Sequence, residues 1–232
     1  MTEKLYKHIF FDLDRTLWDF GKNSSEVLKE IIEEFSLEQY VRDEDEFIEK
    51  YNYYNDNLWD MYRGGKIKKP LLRQERFRLL LKDYKLADMR LVEGISRFYL
   101  NTCPVKPLVI GHTVEVLEYL YEKYRLYIIS NGFYDVQLTK MISSGISKYF
   151  KKVFTSDRIG YAKPNARIFE YALKSENAKK TESLMIGDDI LNDVQGAKNT
   201  RIDQVYFNPE KNDLPFVPTY VISDLLELKD IL

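Results

Sequence analysis

Short apolar runs that stop at polar residues alternate with amphipathic helical patterns along this chain. The first run, Ile9–Phe11, stops at Asp12, and later runs cover residues 126–129 and 184–186. Short apolar runs bounded by polar turns are typical of buried strands. Strands that alternate with helices form βαβ units, in which the strands are parallel. The sequence therefore predicts an α/β fold with a parallel sheet.

The segments between the later runs carry helical patterns. These patterns predict helices at 113–124, with Tyr121 among the inward-facing residues, at about 134–143 and at 190–199.

One block of sequence interrupts this alternation directly after the first run. Residues 22–100 carry four successive amphipathic helical patterns, of which the second is predicted to begin near Asp43 and the fourth at about Asp88. Gly21, Asn23 and Ser24 predict a loop that ends in a helix cap, so the first of these helices is expected to begin at Ser25. We predict a helical bundle at 21–103, inserted into a core domain formed by 1–20 and 104–232.

The composition excludes several classes of protein. The 35 Lys and Arg and 37 Asp and Glu give a net charge of −2, which argues against binding to a nucleic acid polymer. A single cysteine, Cys103, allows no intrachain disulfide, fits a reducing compartment and is predicted to be a buried apolar side chain. No secretory signal precedes the first charges, and no apolar run approaches the ~18 residues of a membrane span. We expect a cytoplasmic protein without a membrane segment; the sequence does not indicate an oligomeric state.

The carboxylates of Asp12 and Asp14 and the hydroxyl of Thr16 follow the first strand at two-residue spacing. They lie on one side if the strand continues, whereas a turn beginning at Leu13 wraps all three around a common point. Crowded carboxylates disfavour joint ionisation unless a cation or a shared proton relieves them, and Mg²⁺ prefers such oxygen ligands. The alternative is a turn stabilised by Asx hydrogen bonds.

Polar residues also follow three later segments of the predicted sheet. They are Ser130, Asn131 and Gly132 after the second run, Lys163 in a loop, and Asp188, Asp189 and Asp193 after the run at 184–186. Each group has a structural alternative: a turn in which Asn and Gly adopt positive φ, an exposed lysine, and a helix cap at Asp189. Because the carboxyl ends of parallel strands share one edge of the sheet, the four groups are expected to converge.

This mixture of groups is what phosphoryl transfer requires. A carboxylate can attack phosphorus and form an aspartyl-phosphate, which divides a difficult hydrolysis into two easier steps. A metal ion and a lysine neutralise the phosphoryl oxygens, while hydroxyls and backbone amides hold them.

Four motifs in order, FDLDRTL, ISNG, AKPNARIF and IGDDILND, resemble those of the haloacid dehalogenase superfamily on its phosphatase branch. The resemblance covers residues 1–20 and 104–232. It implies a Rossmann-like core, and the block at 22–100 is similar in position to the helical cap of that family. It also implies Mg²⁺ as the cofactor.

The resemblance implies a role for each motif residue. Asp12 would be the nucleophile and a metal ligand, and Asp14 the general acid and base, with its main-chain carbonyl on the metal. Thr16 would support that loop. The remaining roles are phosphate binding by Ser130 with the amides of Asn131 and Gly132, pairing with phosphate and Asp12 by Lys163, metal ligation by Asp188, and support of the metal site by Asp189 and Asp193.

The acid at position 14 favours phosphate ester hydrolysis, because the dehalogenases that give the superfamily its name lack an acid there. Arg15 departs from the glycine or aspartate frequent at its position, which leaves its role open. DLDRTLWDF and SNGF resemble bacterial 5′-nucleotidases that act on pyrimidine nucleoside monophosphates. The alternatives are a sugar-phosphate or phosphoglycolate phosphatase, a phosphomutase, and a receiver-like regulatory module that is phosphorylated on aspartate.

Substrate choice in this family is assigned to the cap. Aromatic and basic side chains in the insertion could stack on a base or meet polar substituents. They are Tyr51, Tyr53, Tyr54, Trp59, Tyr62, Arg63, Arg73 and Arg76. The alternative is that Tyr51, Tyr54 and Leu58 form the seam of a helical bundle.

Overall fold

The computed structural model describes residues 5–86 and 88–232. They form two compact units, one comprising the chain up to Phe20 with Pro107–Leu232 and the other comprising Gly21–Lys106. Lys106 belongs to the second unit, because its ammonium donates to Glu26 and Glu30 at 2.6 and 2.5 Å. The boundary therefore falls after residue 106, where sequence analysis placed it after residue 103.

The first unit is built on one six-stranded sheet. Its strands are β1 (His8–Phe11), β2 (Arg125–Ser130), β3 (Phe150–Thr155), β4 (Ser183–Gly187), β5 (Asp203–Phe207) and β6 (Tyr220–Ile222). The order is β3-β2-β1-β4-β5-β6, and every pair of neighbours is parallel. This sheet confirms the predicted α/β, Rossmann-like fold class.

The register of the sheet sets the position of its central strand. Phe11, the last residue of β1, pairs with Ile128 on β2 and Ile186 on β4. Alternate residues of a strand face opposite sides, and Phe10 faces an apolar cluster. That cluster includes Tyr127, Ile129, Phe169 and Met185, all buried. Because β1 lies between β2 and β4, the residue that follows it, Asp12, lies near the middle of the carboxyl edge of the sheet.

Among its described residues the second unit contains four α-helices, as the sequence predicted. They are α1 (Phe20–Glu34), α2 (Glu44–Arg63), α3 (Lys69–Asp83) and α4 (Met89–Thr102). Asp43 and Asp88 cap α2 and α4 by accepting from backbone N–H groups of the first turn, which is why these helices begin where they do.

The predicted loop at the start of α1 is wrong, because the helix begins at Phe20 rather than at Ser25. Asn23 and Ser24 are buried within α1, and the Ser24 hydroxyl bonds the Tyr99 hydroxyl at 2.8 Å. The Ser24 hydroxyl is thus bonded to α4 rather than used as a cap. Local composition predicted a loop, and tertiary contacts overrode it.

Tyr51 lies in the core of this bundle, so the seam interpretation is confirmed for it. It is fully buried, with its ring 5.4 Å from that of Phe77 and 5.3 Å from that of Tyr99. Leu58 is buried on the same helix. Arg76 is buried as well, with its guanidinium carbon 4.7 Å from the Tyr99 ring centre. Tyr51 and Arg76 are therefore part of the packing of the bundle.

The described part of the first unit contains six α-helices. They are α5 (Thr113–Tyr121), α6 (Tyr134–Ser143), α7 (Ser156–Ile159), α8 (Ala166–Ser175), α9 (Gly196–Asn199) and α10 (Leu228–Ile231). Tyr121 was expected to face inward, but more than half of its surface is exposed. The predicted single helix at 190–199 is instead a π-helix, Ile190–Gln195, followed by α9. Among the described residues, no helix has the length and apolar character needed to cross a membrane.

Candidate active site

The chain turns sharply after β1. Asp12 still donates its backbone N–H to Ile186 of β4, at 2.9 Å. The carbonyl of Leu13 then accepts from Leu17 at 3.0 Å and from Trp18 at 2.8 Å, which closes the turn. Of the two arrangements open from the sequence, the turn is the one adopted. It places Asp12, Asp14 and Thr16 around one loop at the edge of the sheet.

Lys163 reaches this edge from the loop before α8. Its ammonium lies 2.5 Å from Asp12 Oδ1 and 2.6 Å from Asp193 Oδ1, and it donates to the carbonyl of Ile129 at 2.8 Å. The side chain is only 3% exposed, so the alternative of an exposed lysine is wrong. A buried ammonium with these partners holds the ends of β1 and β2 and the π-helix together.

Three carboxylates meet beside this lysine. Asp12, Asp188 and Asp193 each have an oxygen within 4.8 Å of the others. Thr16 orients Asp188, because its hydroxyl donates to Asp188 Oδ1 at 2.9 Å and accepts from the Asp188 N–H at 3.0 Å. When all are ionised, three carboxylates and one ammonium leave two negative charges. A divalent cation with oxygen ligands fits this charge and this donor set.

Burial disfavours the charged form of each of these groups. It raises the pKa of Asp12, and the charge of Asp14 raises it further against the opposing effect of Lys163. Burial and the charge of Asp12 raise the pKa of Asp188 to about 7. Burial raises the pKa of Asp193 well above its usual range. Burial alone would lower the pKa of Lys163, but Asp12 and Asp193 together raise it. The cluster thus favours binding a cation.

The side chain of Asp14 is not part of this cluster. Its Oδ1 lies 2.5 Å from the ammonium of Lys140, and its Oδ2 accepts from Gln137 Nε2 at 2.8 Å. Sequence analysis predicted the helix that carries these donors, α6, but assigned them no role. Their spacing of three residues, which places both on one face of a helix, was the available signal. The predicted metal contact of Asp14 through its carbonyl remains a prediction.

The segment Ser130–Gly132 follows β2. The Gly132 N–H donates to Ser130 Oγ at 3.1 Å. Asn131 and Lys163 are tied twice, because the Asn131 side chain donates to the Lys163 carbonyl at 3.0 Å and accepts from the Lys163 N–H at 2.8 Å. Gly132 is not among the glycines with positive φ in the described chain, which are Gly65, Gly145 and Gly160, and Asn131 does not have a positive φ either. The alternative of a turn in which these two residues adopt positive φ is therefore wrong.

Gly132 is required for a different reason. A Cβ built on Gly132 would lie 2.5 Å from the Gln137 carboxamide. Absence of a side chain therefore allows Gln137 to approach the loop. Gly187 makes similar room, since a Cβ there would lie 2.5 Å from Cγ of Asp193.

Asp189 and Asp193 are joined by the π-helix. Asp189 Oδ1 accepts from the N–H groups of Leu191 and Asn192 at 3.0 and 2.9 Å, which makes it the cap of that helix. Asp193 Oδ2 accepts in turn from the Asp189 N–H at 3.2 Å. π-helical turns are frequent at functional sites, and this one carries Asp193 into the cluster.

Arg15 adopts a φ of 64°, in the left-handed region that glycine enters most easily. Its N–H donates to the carbonyl of Trp18 at 2.9 Å, and its guanidinium lies 4.9 Å from the Phe20 ring centre. The structure thus explains why this position favours small residues. The positive charge of Arg15 lowers the pKa of Asp188, against the rise that burial causes.

The chain resembles known proteins over nearly its whole length. The family model described as haloacid dehalogenase-like hydrolase matches residues 9–207. YfnB of Bacillus subtilis, named as a HAD-hydrolase, is 30% identical over 99% of this chain and 96% of its own. Its crystal structure bound to magnesium has a TM-score of 0.88 and 26% identity, covering 98% of this chain and 99% of that one.

Two of the relatives are named as pyrimidine 5′-nucleotidases. The pyrimidine 5′-nucleotidase PynA of Streptococcus pneumoniae is 30% identical, over 98% of this chain and 95% of its own. The pyrimidine 5′-nucleotidase YjjG of Escherichia coli is 29% identical, over 97% and 96%. A match to hydrolases overturns the alternative of a receiver-like regulatory module and confirms the predicted superfamily. The chain therefore belongs to the haloacid dehalogenase-like hydrolase family, as an enzyme of the phosphatase type.

Proposed function

We propose that this protein is a Mg²⁺-dependent phosphatase that hydrolyses a small phosphate monoester through an aspartyl-phosphate on Asp12. The observation that carries this proposal is the meeting of Asp12, Asp188 and Asp193 beside Lys163 at the carboxyl edge of the sheet. About a tenth of the Asp12 side chain is exposed, so the carboxylate is both held and reachable.

The reaction takes place in two steps. A carboxylate oxygen of Asp12 bonds to phosphorus as the bond from phosphorus to the ester oxygen breaks, and Asp14 gives a proton to the departing oxygen. Water then attacks the aspartyl-phosphate and gives a proton back to Asp14, which releases phosphate and restores the Asp12 carboxylate and the protonated Asp14. Splitting the reaction and supplying the proton at each step are both accelerating devices.

The other residues hold the phosphoryl group. Lys163 supplies positive charge next to Asp12, and the Ser130 hydroxyl and the backbone amide of Asn131 supply donors for phosphoryl oxygens. The Gly132 N–H, expected from the sequence to be a further donor, bonds Ser130 Oγ in this structure. Asp12 and Asp188 would hold Mg²⁺, with the carbonyl of Asp14, while Thr16, Asp189 and Asp193 keep these ligands in place. Bound Mg²⁺ would neutralise charge on the phosphoryl oxygens.

A nucleoside 5′-monophosphate is the proposed substrate, supported by similarity to two enzymes named pyrimidine 5′-nucleotidases. Of the aromatic and basic side chains to which sequence analysis assigned substrate choice, six are not buried. They are Tyr53, Tyr54, Trp59, Tyr62, Arg63 and Arg73. Sugar phosphates and phosphoglycolate are the rival substrates. A cytoplasmic location is proposed from the single cysteine, which fits a reducing compartment.

A panel of phosphate monoesters, assayed for released phosphate, tests the activity and the substrate together. We expect release that requires Mg²⁺ and is abolished by a chelator, with the highest kcat/KM for pyrimidine nucleoside 5′-monophosphates. Preference for a sugar phosphate or for phosphoglycolate would overturn the nucleotidase assignment only. An isomerised product without phosphate release would indicate a mutase, and no turnover of any ester would contradict the proposal.

Mg²⁺ is also expected to stabilise the folded protein, because a cation that binds only the folded state raises its stability by about 2.7 kcal/mol at a hundred times its Kd. Thermal unfolding in Mg²⁺ and in a chelator measures this. The Asp188→Asn variant should lose most of the shift, whereas Asp213→Asn, at an exposed aspartate of the same unit, should keep it. An equal shift in both variants would place the metal elsewhere.

A further inference from the structure

The Asp14 carboxylate is held by two donors from a single face of α6. Gln137 and Lys140 lie one helical turn apart, and each donates to a different oxygen of Asp14, at 2.8 and 2.5 Å. Gln137 is fully buried, and the Lys140 side chain is 7% exposed. Asp14 itself keeps 29% of its side chain open. The donors are thus fixed inside the protein while the carboxylate they hold stays accessible.

The orientation of the Gln137 carboxamide is determined by its neighbours. A carboxylate only accepts hydrogen bonds, so the atom that faces Asp14 must be the amide nitrogen. That nitrogen also donates to Ser130 Oγ at 2.7 Å, which uses both of its hydrogens. Gln137 Oε1 is left buried without a hydrogen-bond partner. A buried acceptor without a partner is unfavourable for folding. We therefore explain this orientation by the two hydrogen bonds that the amide nitrogen donates, to Asp14 and to Ser130.

The same bond prepares Ser130. Its Oγ accepts from Gln137 and from the Gly132 N–H, which occupies both lone pairs. The hydroxyl hydrogen of Ser130 is therefore the part left to donate. A donor at this place suits a phosphoryl oxygen, the role proposed for Ser130. Gln137 thus links the proton-transferring group and the phosphate-binding hydroxyl.

Lys140 is fixed from its other side. Its ammonium lies 4.4 Å from the ring centre of Trp18, which is fully buried, and 5.8 Å from that of Phe20. Trp18 closes the turn that carries Asp14, since it bonds back to Leu13 and Arg15. Cation–π attraction and the ion pair therefore fix the ammonium and the turn against each other.

We propose that Gln137 and Lys140 are positioning residues that orient the Asp14 carboxylate for proton transfer, an assignment that rests on the proposed function. Neither touches the substrate: Lys140 acts through Asp14, and Gln137 acts through Asp14 and Ser130. Proton transfer requires hydrogen-bond reach in the reacting complex, so a misplaced carboxylate loses rate even in a folded enzyme.

The dependence of kcat/KM on the leaving group distinguishes a positioning role from a purely structural one. An alkyl ester such as uridine 5′-monophosphate needs a proton on its departing oxygen, whereas 2,4-dinitrophenyl phosphate releases a stable anion. kcat/KM reports the step that phosphorylates Asp12. We expect Lys140→Met and Gln137→Met to lower kcat/KM for uridine 5′-monophosphate by ~10- to 100-fold, part of the ~10²–10⁴ that general acid catalysis contributes. For the dinitrophenyl ester we expect a loss below about threefold with Lys140→Met. Gln137→Met also removes a hydrogen bond to Ser130 Oγ, so it should lower kcat/KM for this ester too, but by less than for uridine 5′-monophosphate.

Several variants control the comparison. Lys174→Met, at an exposed lysine on α8, should match the wild type with both esters. Lys140→Arg keeps the charge and should recover part of the loss. In the Asp14→Asn background, Lys140→Met should add little, because residues that act through one another are not additive. Thermal unfolding measures the folded fraction of each variant. A variant that is only partly unfolded would show the same loss of kcat/KM with both esters.

The outcomes separate this inference from the proposed function. Suppose that Asp14→Asn shows the ester-dependent loss, but that Lys140→Met and Gln137→Met lower kcat/KM equally for both esters or leave it unchanged for both. The positioning role is then wrong. If Asp14→Asn itself lowers both esters equally, the acid role of Asp14 is wrong and the inference falls with it. Ester-dependent loss in all three variants supports both.

Discussion

The Asp12→Asn variant is expected to hydrolyse phosphate esters at least ~10⁴-fold more slowly than the wild type, the scale on which loss of a nucleophile acts. The amide has nearly the same shape as the carboxylate but cannot attack phosphorus. Phosphate release from an aryl phosphate in Mg²⁺ measures the effect, with Asp213→Asn as the control at an exposed aspartate.

The same variant should fold as well as the wild type. Burial raises the pKa of Asp12, so the ionised carboxylate is unfavourable in the folded state, and an uncharged replacement relieves that. Lys163 keeps its ion pair with Asp193 at 2.6 Å and its bond to the Ile129 carbonyl. Activity retained by a folded Asp12→Asn protein would contradict the assigned nucleophile.

Lys163→Met has a different expected result, because it removes stability as well as activity. The ammonium is the shared partner of Asp12 and Asp193, and its loss leaves buried carboxylates without a counter-charge. Breaking a buried ion pair by removing one partner costs about 3–5 kcal/mol. Chemical denaturation in the absence of metal measures this loss, with Lys174→Met as the control.

Mg²⁺ and a second substitution sharpen this experiment. Mg²⁺ should recover part of the lost stability, since it supplies positive charge to the same carboxylates. Adding Asp193→Asn to Lys163→Met should cost less than the sum of the single changes, because the pair is coupled. A Lys163→Met protein as stable as the wild type without metal would mean that Asp12 and Asp193 do not share this lysine.

Predictions from the sequence succeeded where the pattern is local. The run Ile9–Phe11 predicts β1 because a strand buried on both faces is apolar at each position. Asp43 and Asp88 predict helix starts because a side chain that accepts from the first turn has to lie just before it. Failures at Ser24 and Tyr121 share one cause: what these residues contact depends on distant parts of the chain.

The same distinction applies to the site. Asp12, Lys163 and Asp188 were predicted as one site because strand ends in a parallel sheet meet at one edge, so local motifs carried the long-range information. Gln137 and Lys140 were missed because helical spacing identifies a shared face but not its partner. The hydrogen bonds that give them a role span 123 and 126 residues.

The sequence by itself determined the alternation of strands and helices, the helical insertion after β1 and the four polar strand ends, because each is written in neighbouring residues. Only the tertiary structure decided that Asp193 joins Asp12 and Asp188 beside Lys163, and that two donors of α6 hold Asp14. The physical reason is that burial and side-chain pairing are set by which elements pack together, and that packing is a property of the whole fold.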